Sequence, residues 1–225
     1  DLSAREVGFA TMAEQLPLPE NRIVPDFDRR DALGISLHRS IGPEDSYFKM
    51  IRDGWGESLR NAVRLAQIRA ESVAFARDLI NTPPSSLLPK NLVDAARNIQ
   101  KIRGSRMKMK VFNGAALKRL KAGSLLGVAR GSDVEPYMIH LSYVPSRPRR
   151  KITLIGKGIT FDSGGLSIKT GKGMEDMKCD MSGAAAVLAS MRALAMLPAD
   201  QRPRDEIHVI VPTCENMING DSMKP

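Results

Sequence analysis

The chain has 225 residues, 42% of them apolar and 26% charged, a balance that places it away from disordered and membrane-embedded classes. That length allows one medium domain, or one domain with part of another, since compact domains run to about 100 to 200 residues. The formal charge of +9 draws on two basic runs, KIRGSRMKMK (101–110) and PSRPRRK (145–151). No aromatics interleave them and no nucleic-acid motif accompanies them, so both read as solvated surface and nucleic acid is not the expected partner.

No apolar run approaches the roughly 20 residues needed to cross a bilayer, and the opening DLSAREVGFATMAEQ lacks a charged-then-apolar signal pattern. No membrane partner is expected, and the expected compartment is the cytoplasm. The two cysteines, Cys179 and Cys214, are too few for a disulfide framework and form no CxxC pair, which argues against a thiolate zinc site.

In chain order, residues 1–54 carry scattered Pro and Gly with weak periodicity, and EQLPLPENRIVPDFDRRD (14–31) reads as loop. This region is expected to be the remnant of a smaller N-terminal α/β domain with its linker, leaving 55–225 as the main domain. From Gly56 to Ile80 no breaker follows the start, and Leu59, Val63, Ala66, Ala70, Val73 and Arg77 recur at helical steps, which predicts a long amphipathic helix. Pro83 and Pro84 stop it, and Pro89 suits the first turn of a second helix. Strands are expected at 106–112, 137–144, 151–156 and 206–214, with helices at 114–122 and 182–197 between them. Strands alternating with helices imply an α/β fold, a mostly parallel sheet with helices on both faces.

The stretch LIGKGITFDSGGLSIKTGKGMEDMKCD (154–180) concentrates lysines, aspartates and glycines just after an apolar strand. Ligands of open α/β sheets bind outside the carboxyl ends of the strands. Lys157 is placed just beyond such an end, Asp162 on the loop that follows, Lys169 seven residues later, and Asp180 before the helix that starts near Ser182. Lys and Asp also populate ordinary loops, so this pattern alone does not demand chemistry. The patterns GxGxxG, GxxxxGK[ST] and GxSxG are all absent, which removes phosphate cradles and a serine elbow. His140 and His208 fall inside predicted strands and His38 stands alone, so imidazole catalysis is not expected. What remains is carboxylate-based metal binding with an amine nearby, a donor set that suits zinc, manganese or cobalt.

The segment GKGITFDSGGLSIKTGKGMEDMKCDMSGAAAV resembles the first active-site block of the leucyl aminopeptidase family, the hexameric two-metal cytosol aminopeptidases of peptidase family M17. Lys157, Asp162, Lys169 and Asp180 match the motif position by position, as do Gly156, Gly158, Gly164 and Gly165. ARDLINTPPSSLLP, SLLGVARGS and VIVPTCENMINGDSMKP extend the similarity, which covers residues from about 60 to 225. The resemblance implies that Lys157, Asp162 and Asp180 are metal ligands, with Asp162 bridging two divalent ions. It also implies that Lys169 polarises the scissile carbonyl and that Met177 lines the pocket for the first side chain of a peptide substrate.

Zn, Mn or Co would serve as the metals, a homo-hexamer is implied, and the family's base is a bicarbonate held by an Arg. That Arg and the remaining ligands belong to a later block, NTDAEGR, which does not occur in these 225 residues. Three ligands are too few for two ions. The expectation is therefore a part of a full-length aminopeptidase acting on N-terminal apolar residues such as leucine, inactive by itself. The alternatives kept open are a DNA-binding relative and a non-catalytic fragment.

Overall fold

The computed structural model describes residues 46–225, with side chains from residue 56 onward. The loop read at 14–31, His38 and the remnant of an N-terminal domain lie outside the described residues. Among the described residues, no helix is long and apolar enough to cross a membrane.

Helix α1 (Ser46–Asn81) contains the long helix expected from Gly56 onward. It ends where Thr82 Oγ1 donates to the Asp78 carbonyl at 2.6 Å, just before the two prolines. The packed face differs from the one read in the sequence. Leu59, Val63 and Val73 are exposed, while Ile68 and Ser72 are buried and Phe75, Ala76, Leu79 and Ile80 lean on the core. Two helical stripes compete on this helix, and tertiary packing selects the second: Arg192 reaches the Ser72 hydroxyl and the Glu71 carboxylate, and its guanidinium lies 5.8 Å from the Phe75 ring centre. Helix α2 (Pro89–Gln100) starts at the proline expected to start it, and the Leu88 N–H donates to Asn91 Oδ1 at 2.9 Å.

The sheet runs β1 (Met107–Phe112), β2 (Tyr137–Tyr143), β5 (Glu206–Asn216) and β3 (Lys151–Ile155), with β4 (Gly158–Asp162) also paired to β5. Short helices α3 (Gly114–Arg119) and α4 (Gly123–Val128) lie between β1 and β2. The one-turn α5 (Gly171–Met174), a 3-10 turn (Glu175–Cys179) and α6 (Ser182–Met196) lead from β4 to β5.

The α/β class and the flanking helices are as expected. Half of the strand pairings described are antiparallel, namely β1 with β2 and β2 with β5, while β3 and β4 run parallel to β5. Connection length accounts for part of the difference. A parallel return needs a crossover of a dozen residues or more, which the α6 segment supplies between β4 and β5, whereas the connector 144–150 is too short for one and sends β3 back opposite to β2. The connection through α3 and α4 is also long enough for a crossover, so length does not set the antiparallel pairing of β1 with β2.

The core forms where α2 and α6 lie against the sheet. Leu92, Val93 and Ala96 meet Ala184, Ala185 and Leu188 over Ile139, Leu141, Val209 and Val211. His140 and His208 alternate with those core positions and belong to no ligand cluster. They stack and share a 2.7 Å hydrogen bond, and His208 continues to Glu206 at 2.6 Å. Burial, His208 and Lys110 together hold the His140 pKa below its ordinary value.

Candidate active site

Strand β3 ends at Ile155, and Gly156 and Lys157 carry the chain into β4. A side chain at position 156 would stand 2.6 Å from both the Gly183 carbonyl and Val187, so only glycine lets this junction touch the first turn of α6. The contact is used, because Ala184 N–H donates to the Lys157 carbonyl at 2.9 Å. Lys157 is thereby fixed at the base of α6. Asp162 is the last residue of β4 and not part of a loop, a short strand that the glycines had hidden. After it, Gly164 takes φ +87° and Gly165 φ +65°, the left-handed region that turns the chain back sharply. The turn closes when Lys169 N–H donates to the Ser163 carbonyl at 3.0 Å.

The structure sets Lys157 Nζ 2.7 Å from Asp180 Oδ1, and Lys169 Nζ 3.1 Å from Asp162 Oδ2. The 3-10 turn that leads to Asp180 packs on β4, whose last residue is Asp162. Met177 lies half-buried in that turn. Both carboxylates are mostly shielded, at 18% and 15% side-chain exposure, so each needs a partner for its charge. Burial pushes the Asp162 pKa up, but the Lys169 ammonium, the Gly164 N–H and the Asn216 amide outweigh it and hold the carboxyl below its ordinary value.

Asn216 is a residue that sequence reasoning missed. Its Nδ2 donates to Asp162 Oδ1 at 2.7 Å from the far end of β5. The available signal was a charged and a polar residue, Glu215 and Asn216, following the largely apolar run VIVPTC (209–214).

One atom of this cluster is unsatisfied. Asp180 Oδ2 is buried and accepts no hydrogen bond. Orphaned buried carboxylate oxygens are costly, and a cation is the partner such an oxygen takes most readily. Among the described residues no three His, Cys, Asp or Glu side chains gather as an ion's ligand set. The donors here are two carboxylates and two amines, and a carboxylate–amine set fits a borderline divalent metal once the amine is deprotonated.

A signature of the cytosol aminopeptidase family, catalytic domain (peptidase M17), matches residues 74–225. The chain belongs to this family. A probable cytosol aminopeptidase of Gloeobacter violaceus is 45% identical over 166 residues, which cover 73% of this chain and 32% of that protein. Leucine aminopeptidase 2, chloroplastic, of Arabidopsis thaliana is 41% identical over 176 residues, covering 76% of this chain and 30% of that protein. The chain thus spans about a third of the length of the curated relatives it matches. Among solved structures, the bottromycin maturation enzyme BotP in complex with Mn is 36% identical with a TM-score of 0.63, covering 74% of this chain and 34% of that one. Leucine aminopeptidase of Caenorhabditis elegans is 33% identical with a TM-score of 0.61, over 68% of this chain and 30% of that one. The M17 assignment is therefore carried by sequence and by fold alike.

Proposed function

We propose that this M17 segment carries part of the active site of a two-metal aminopeptidase that removes N-terminal residues, leucine and other apolar ones, from peptides. The observation that supports it most directly is the buried, unpartnered Asp180 Oδ2 beside Lys157, at the carboxyl end of a β strand where α/β sheets bind ligands. In this reading Lys157, Asp162 and Asp180 hold divalent ions, and Asp162 serves both. Further donors come from sequence outside these residues, as the greater length of the relatives allows.

Bound metal would supply a water activated at neutral pH and a Lewis acid for the peptide carbonyl. The chain's own residues do the rest. Lys169 would stabilise the negative charge that develops on the carbonyl oxygen of the substrate. Met177 borders the pocket for the first side chain. Zn, Mn or Co would occupy the sites, Mn being the metal named with the BotP neighbour. A bicarbonate base, a homo-hexamer and a cytoplasmic location complete the proposal.

Release of p-nitroaniline from leucine p-nitroanilide, with and without added manganese and alongside Asp162→Ala, tests it. Metal-dependent activity that vanishes in the variant supports the reading. A full chain that is inactive with Mn, Zn and Co alike would sink it.

A further inference from the structure

Asn216 does two separable things. Its main-chain carbonyl accepts from the Ser163 N–H at 2.9 Å and from the Ser163 hydroxyl at 2.8 Å, pinning the turn after β4 to the end of β5. The Ser163 hydroxyl in turn accepts from the Gly165 N–H at 3.2 Å. These bonds need only the backbone of residue 216, so the side chain is not required to hold the turn.

The side-chain amide acts instead on Asp162. A carboxylate only accepts, so the NH2 end of the amide is the end that faces it. Oδ1 receives that donor at 2.7 Å and the Gly164 N–H at 3.0 Å. Two donors thus meet one oxygen, which has two lone pairs to offer. Among the described residues, Oδ2 pairs with the Lys169 ammonium, on a flexible stem that can move aside for a second cation while staying beside the carboxylate. The two oxygens of Asp162 are thus made unequal: one is tied to rigid donors and the other faces positive charge.

Neighbouring contacts keep the amide in place. Glu215, one residue earlier and on the other face of the strand, is buried and bonded to Lys224 and to the Ser132 hydroxyl. The end of β5 therefore cannot slide or twist freely, and Asn216 projects from a fixed base.

We propose that Asn216 is a positioning residue for Asp162: by occupying Oδ1 together with Gly164, it fixes the carboxylate and reserves Oδ2 for a divalent cation. This rests on the metal reading of the site given above. Outer partners of metal ligands commonly govern affinity, and their loss weakens it by about 10- to 100-fold.

The test is calorimetric titration of Mn2+ into the metal-stripped full chain, wild type against Asn216→Ala and Asn216→Leu, with thermal unfolding of each metal-free protein. Leu keeps the branched heavy-atom shape of Asn and removes the donor, so the second variant covers the chance that a cavity harms the first. The expected result is Mn2+ affinity weaker by about 10- to 100-fold in both variants, with metal-free unfolding midpoints near wild type because the main-chain clamp on Ser163 survives. Wild-type affinity in either folded variant would overturn the proposal while leaving the metal reading intact. Failure of both variants to fold would assign the side chain a structural role and also overturn it. A wild type that binds no Mn2+ would overturn the metal reading itself, and the positioning role with it.

Discussion

Lys169 Nζ lies 3.1 Å from Asp162 Oδ2, and of the two lysines at the site it is the more sheltered, at 32% side-chain exposure against 61% for Lys157. A cation held at the mouth of a shielded carboxylate is in place before any substrate arrives, which is what electrostatic stabilisation of a developing oxyanion requires. Lys169→Met is therefore expected to lower kcat on leucine p-nitroanilide by about 10²- to 10³-fold, the usual cost of losing one such donor. KM should change little, because the interaction strengthens only as charge develops. Steady-state kinetics at saturating Mn2+ decide this, and an unchanged kcat would remove Lys169 from the chemistry.

The turn that carries Lys169 back to Asp162 depends on Gly164. Its φ is +87°, and a side chain there would stand 2.3 Å from the Ser167 carbonyl oxygen. Gly164→Ala should cost about 1–3 kcal/mol of stability in urea unfolding, the range for a residue forced into a strained backbone region. Gly127 in α4 is the control, since nothing lies within 4 Å of its would-be side chain. Gly127→Ala should stabilise by about 0.5–1 kcal/mol through helix propensity. If both substitutions act in the same direction, the conformational argument for the turn is wrong.

These two lysine–aspartate pairs show how much of the site was legible in the sequence. The strand ends and the breaks at Pro83, Pro84 and Pro89 were visible because prolines and apolar runs act locally. Lys157, Asp162, Lys169 and Asp180 were singled out by their match to the M17 motif, where loop chemistry alone favoured ordinary surface residues, and the structure brings them together as two lysine–aspartate pairs. Which lysine meets which aspartate was not, because that is set by the packing of the 3-10 turn on β4. Asn216 escaped for the same reason: it lies 54 positions from its partner, and only β5 pairing with β4 brings the two together. The buried face of α1 was misread because two apolar stripes compete and only contacts with Arg192 and the core choose between them. The short connector 144–150 turns β3 opposite to β2, but the antiparallel pairing of β1 with β2 follows a long connection and was stated neither by connector length nor by the strand and helix patterns.

Glu215 and Lys224 form a buried ion pair. Glu215 is 2% exposed and Lys224 12%, and the ammonium bonds the carboxylate as well as the Pro84 carbonyl. The segment after β5 is tied in this way to the turn that ends α1. Removing one partner leaves an uncompensated buried charge, which costs about 3–5 kcal/mol. Lys224→Met should show that loss in denaturant unfolding. Adding Glu215→Gln to it should recover most of the loss, since the stranded charge is gone. A double variant no more stable than Lys224→Met would mean that the pair acts through shape and not charge.

Cys214 lies in β5 with no exposed surface, while Cys179 is half-buried in the 3-10 turn. Burial, and then the negative charges of Glu215, Asp162 and Asp180, push the Cys214 thiol up to about 12. The thiolate is the reactive form, so at pH 8 iodoacetamide should label Cys179 and spare Cys214 until the protein unfolds, as peptide mapping by mass spectrometry would show. The same shift makes stability depend on alkali. In the unfolded chain this thiol loses its proton near its ordinary value of 9, whereas in the folded chain it keeps it to about 12. The unfolded state then binds fewer protons, so the contribution is present in full below pH 9 and is lost as pH rises from 9 to about 12. Cys214→Ala should flatten that part of the stability profile. An equally steep alkaline loss in the variant would place its origin in another group.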